Sequence, residues 1–122
     1  MTPEEIEIAR EMADHPDWTW STAVLVRHRT LYDVLWTRIG EDGLTLSLRM
    51  SDLMDDPIPD LDDPATQGVI LAQVRERWED MIIAHSSGAC TICRRIIANV
   101  AAVGPTYGAA LGRAWLASRE KP

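Results

Sequence analysis

Cys90-Thr91-Ile92-Cys93 places two thiols at the spacing used by half of a tetrahedral zinc site or by a redox dithiol. His85 precedes Cys90 by five residues, so His85, Cys90 and Cys93 could supply three ligands, with His15, His28 or an aspartate as the fourth. A β-strand, however, points positions 90 and 93 to opposite faces. A redox pair would want a helix N-terminus to lower one thiol's pKa, and Ser86-Ser87-Gly88 would provide that start only if 90–103 were helical. The preferred reading is two ordinary buried cysteines. No metal is favoured, no cofactor is expected, and His85, Cys90 and Cys93 are the secondary metal candidates.

The second cluster is acidic. Residues 51–63 hold six aspartates and two prolines. A calcium loop needs ligands at alternate positions, a central glycine and a terminal glutamate, and Pro57 and Pro59 break that pattern. The segment therefore reads as a solvated acidic connector, and Asp52, Asp55, Asp56, Asp60 and Asp62 are the candidate partner-binding residues. No serine or cysteine sits in a nucleophile-elbow context, so no enzyme is expected. Gly104, Gly108 and Gly112 recur every four residues. They could cradle a phosphate at a helix N-terminus, but no lysine signature accompanies them, and close helix packing is the better explanation. Glu4, Glu5, Glu7 and Glu11 read as a solvated helix face.

Charge narrows the partner class. The 122 residues carry a formal net charge of −7. Residues 1–63 hold 15 acidic and 5 basic groups (−10), and residues 64–122 hold 4 acidic and 7 basic groups (+3). Affinity for a phosphate backbone comes from cations that displace counterions, so direct nucleic-acid binding is not favoured. A basic patch from Arg75, Arg77, Arg94, Arg95, Arg113 and Arg119 is conceivable only if they share a face. The five tryptophans are spread along the chain and read as anchors of one core. No apolar run approaches membrane-spanning length, and Met1–Arg10 lacks the apolar stretch of a secretory signal. The expected setting is therefore the cytoplasm.

The elements that must position these groups can be read in turn. One domain is expected over 1–122. Thr2-Pro3-Glu4-Glu5 is a capping box with proline at the first helical position, opening a helix over 3–13 with Ile6, Ala9, Met12 and Ala13 inward. His15-Pro16 ends it, giving an N-terminal unit of 1–17. Residues 18–50 read as a β-meander: strands over 21–28, 31–39 and 44–50, the last alternating strictly. Residues 51–63 are the connector. Asp63-Pro64 caps a central helix over 64–80, with Gln67, Ile70, Leu71, Val74 and Trp78 on one stripe and Gly68 placed for close approach to a neighbour. Residues 81–103 read as a hairpin, and Gly104-Pro105-Thr106 opens a C-terminal helix in 104–122. The fold class is α+β, order αβββαββα: an antiparallel sheet of meander plus hairpin, packed by two or three helices.

Asp60 to Gly68, followed by Leu71 and Val74-Arg75, resembles a segment of small bacteriophage and prophage proteins of unassigned function, as does Gly104-Pro105-Thr106 with Ala110-Leu111. The resemblance covers about a third of the chain. It implies a phage or prophage origin and a host-cytoplasmic setting, and it transfers no active site. The function expected is an accessory protein that binds another protein, in one form an inhibitor that offers its acidic surface to a host nucleic-acid-binding machine. A homo-oligomeric structural or assembly component of the particle is the alternative, and a zinc- or thiol-dependent domain built on Cys90 and Cys93 is the third reading.

Overall fold

A computed structural model describes residues 1–29, 34–40, 55–95 and 101–120. They form three helices, α1 (Pro3–Asp14), α2 (Pro64–Arg77) and α3 (Tyr107–Arg119), and six strands: β1 (Leu25–Arg29), β2 (Val34–Arg38), β3 (Asp55–Pro59), β4 (Met81–Ser86), β5 (Ala89–Arg94) and β6 (Ala101–Gly104). The order is αβββαβββα, a small α+β domain with one strand more than expected between α2 and α3. Every strand pairing is antiparallel, in two three-stranded sheets of order β2-β1-β3 and β4-β5-β6.

Local signals account for the helix starts. Thr2 accepts from the Glu5 amide at 3.2 Å, and Glu5 accepts from the Thr2 amide at 2.9 Å, so the capping box forms with both of its bonds. The inward face of α1 is Glu5, Ile8, Ala9 and Met12. Ile6 is only half-buried at the margin of that stripe. Asp63 caps α2 and Thr106 caps α3, each through its side chain to the amide three residues on. α2 ends at Arg77, where Trp78 leaves the helix, shorter than the expected reach to residue 80.

The strands needed more than local pattern. β1 and β2 form the expected first hairpin, while the strand expected over 44–50 lies outside the described residues. The third place in that sheet is taken by β3, inside the segment read as a connector. It pairs with β1 through Val26↔Pro59, Arg27↔Ile58 and Arg29↔Asp55, with a bulge between the last two. Its prolines fit because β3 ends the strand order, where a missing N–H breaks no second ladder. The second hairpin, β4–β5, turns at Ser87-Gly88, with Gly88 at φ 75°, and β6 extends it.

The core is organised around α3. It packs on α1, α2, β5 and β6, and eight of its thirteen residues are buried, most of them small. Trp115 is fully buried, and its Nε1 donates to Gln73 Oε1 of α2 at 2.7 Å. Trp18 meets Trp115 edge-on at 5.5 Å between ring centres, and His15 does so at 5.2 Å. Three of the tryptophans, 18, 78 and 115, are core residues as read from sequence, and Trp20 packs against them. Gly104, Gly108 and Gly112 serve packing. A Cβ on Gly112 would lie 2.5 Å from Ile8 Cγ2, and one on Gly104 would lie 2.7 Å from the Ala110 amide nitrogen. Gly68 does not serve packing: nothing lies within 4 Å of a Cβ placed there. No described helix is long and apolar enough to cross a membrane.

Candidate functional site

The aspartates ahead of α2 are largely engaged inside the molecule. Asp63 accepts from the Thr66 amide and hydroxyl, each at 2.9 Å, and pairs bidentately with Arg38 of β2 at 2.8 Å on both oxygens. Arg38 also donates to the Ala23 carbonyl, and the Leu25 amide donates to the Thr66 hydroxyl at 2.8 Å. One carboxylate thus ties the start of α2 to both strands of the first hairpin. The Arg38 guanidinium holds its carboxyl far below the usual aspartate range. Ala23 sits at φ 77°, a left-handed conformation that disfavours an L side chain.

Asp60 is buried at the end of β3, where its Oδ1 accepts from the Asp62 amide at 3.0 Å, and burial pushes its carboxyl up. Asp62 pairs with the Met1 amine at 3.3 Å, and the neighbouring Glu5 carboxyl and that amine hold its own carboxyl down. Glu5 is 1% exposed, not on a solvated face, and burial followed by the Asp62 contact pushes its carboxyl up. Among the described residues Glu5 Oε2 is buried without a hydrogen-bond partner. Of the remaining candidates, Asp55 and Asp56 are placed by their backbone as the first residues of β3, and Asp52 lies outside the described residues.

The thiol candidates are separated by strand geometry. Cys90 lies directly across from His85, and Cys93 directly across from Ile82, so Cys90 and Cys93 are on opposite faces of the second sheet. Both thiols are free. Cys90 is 2% exposed and burial pushes its thiol up, away from a reactive thiolate. Among the described residues no group of three His, Cys, Asp or Glu could hold a metal ion.

Three of the six arginines named in the C-terminal half are engaged within the molecule. Arg94 bonds Asp80 at 2.9 Å, Arg113 pairs with Glu4 and donates to the Val103 carbonyl, and Arg119 lies 5.0 Å over the Trp115 ring.

The surface that sequence reasoning missed is on the first hairpin. Leu35 and Trp36 of β2 are 43% and 46% exposed. Strand alternation puts Arg27, Arg29 and Trp36 on one face and Leu35 on the other. Arg27 faces Trp36 across the strand pair, its guanidinium carbon 6.0 Å from the ring centre. That face is closed over β3, where Ile58 is buried, and open over β2. A usable signal was present: Arg27-His28-Arg29 alternates charge with a strand period beside a tryptophan hairpin partner. A face of this kind offers planar apolar area and guanidinium donors. The chain matches no protein-family model, no curated protein and no solved structure.

Proposed function

We propose that this chain is a phage or prophage accessory protein that acts by protein–protein binding, with the Trp36 face of the β1–β2 hairpin as its contact surface. One observation carries the reading: Trp36 is 46% exposed, whereas Trp18, Trp78 and Trp115 are buried. Large aromatic and arginine side chains dominate the energetics of protein interfaces. The acidic-inhibitor form of the reading has less to rest on, because Asp60 and Asp62 serve the fold. The phage origin rests on the likeness of Asp60–Gly68 and Gly104–Thr106 to phage segments.

The test is differential capture from bacterial lysate with wild type and Trp36→Ala, after thermal melts establish that both are folded. Loss of a specific band or crosslink in the variant supports the hairpin, and identical capture rejects it.

A homo-oligomeric assembly role is the second reading. The outer face of the second sheet is uncharged across Ile82, Ala84, Thr91, Cys93, Ala101 and Val103, the last 49% exposed. Light scattering decides it: a concentration-independent monomer rejects assembly, and a closed ring whose contacts need Val103 supports it.

A further inference from the structure

Three described arginines are tied to carboxylates. Arg38 is held by Asp63, Arg94 by Asp80 and Arg113 by Glu4. Arg27 and Arg29 are not: among the described residues neither forms an ion pair, although Asp55 lies across from Arg29 in the β1–β3 register. They stand two residues apart on β1, so their side chains leave the same face roughly 7 Å apart. Trp36 lies beside Arg27 and presents an open ring.

We infer that the Arg27–Arg29–Trp36 face takes an extended segment of a partner protein that carries carboxylates at alternate positions. The inference rests on the hairpin reading above and gives it a chemistry. An extended chain repeats its side chains with the same two-residue period as β1, so two carboxylates on one side of it meet two guanidiniums without either chain bending. The intervening backbone lies along the Trp36 ring. Nucleic acid is the poorer fit: two unpaired cations on a chain of net charge −7 provide little counterion release. A second copy is also poorer, because Asp60 and Asp62, two residues apart, lie in the turn before α2 and are held by the Asp62 amide and the Met1 amine.

The experiment uses a short fluorescent peptide alternating threonine and glutamate, its glutamine counterpart, and an oligo-dT strand, read by anisotropy at low and high salt. The glutamate peptide is expected to bind better than the glutamine peptide and to weaken with salt. It is also expected to lose about tenfold in affinity with the Arg27→Gln/Arg29→Gln variant, from two exposed ion pairs. Equal binding of the two peptides, indifference to the double substitution, or tighter binding of oligo-dT overturns the inference. Self-association that depends on Arg27 and Arg29 overturns it as well. The hairpin reading fails separately: if Trp36→Ala abolishes lysate capture and Arg27→Gln/Arg29→Gln does not, only the carboxylate chemistry is wrong. If neither variant changes capture, the hairpin itself is wrong.

Discussion

Alanine placed at Gly108 and at Gly68 should shift stability in opposite directions. Both glycines are helical, Gly68 in the body of α2 and Gly108 in the first turn of α3. In a helix interior, glycine is less favourable than alanine by about 1 kcal/mol. At Gly68 nothing lies within 4 Å of the new methyl group, so the full gain should appear. For a chain of this length that raises the melting temperature by about 4 °C. At Gly108 the methyl group would press on the Leu61 carbonyl and lie 2.7 Å from Glu5 Oε2. The carbonyl belongs to backbone that also accepts from Gln67 Nε2 at 2.7 Å, and Glu5 is fixed by its capping bonds. Neither can withdraw without breaking something else. Overpacking of this kind costs about 1–3 kcal/mol, which outweighs the smaller propensity gain of a first-turn position. Gly108→Ala should therefore lower the melting temperature by several degrees. Paired urea and thermal melts of the two variants measure both effects. A stabilised Gly108→Ala, or a destabilised Gly68→Ala, would refute this account of how α3 seats against α1 and the turn before α2.

Asp63→Ala removes a helix cap and the Arg38 pair, and chemical denaturation should show a loss of about 2 kcal/mol, most of it from the cap because Arg38 is half exposed. Because the Asp63 carboxyl is depressed in the folded state, its contribution is present above the unfolded value of 3.8 and is lost as pH falls below that, so the variant and wild type should converge in acid. Glu5 works the other way. Its folded pKa is raised above 4.5, so its contribution is full in acid and is lost as pH rises through the folded value. Glu5→Gln removes the titrating group, and its stability relative to wild type should grow as pH rises above 4.5; parallel curves would refute the raised carboxyl. Cys93 should react with a thiol reagent well before Cys90, and mild oxidation should give no intramolecular disulfide, read by mass under non-reducing conditions. Ala23→Gly should stabilise by about 1 kcal/mol, since the residue's φ of 77° suits glycine; thermal melts check it.

What could be read from the chain was what depends on near neighbours. Thr2, Pro3 and Glu5 announce α1, Asp63 and Pro64 announce α2, and both forecasts rest on bonds spanning three residues. The β4–β5 hairpin is equally local. β3 was illegible because Pro57 and Pro59 argue against a strand until one knows that it lies at the end of the sheet. The inward turn of Glu5 was illegible for a similar reason. A glutamate in a capping box is normally solvated, and only Gly108 and Asp62, far along the chain, make a buried place for it. Trp36 shows the limit for function. Composition counts five tryptophans without saying which one the fold leaves in solvent.

The seating of α1 against α3 also bears on the order in which the chain is made. Ile8 meets Gly112, and Glu4 pairs with Arg113 across more than a hundred residues. α1 is synthesised early, yet the helix that covers Met12 and Ile8 comes late. Until α3 is made, α1 can pack on β3, but the part of its inward face that meets Gly108 and Gly112 stays open. Closure of α1 on α3 joins segments distant in the chain, the kind of contact that slows folding.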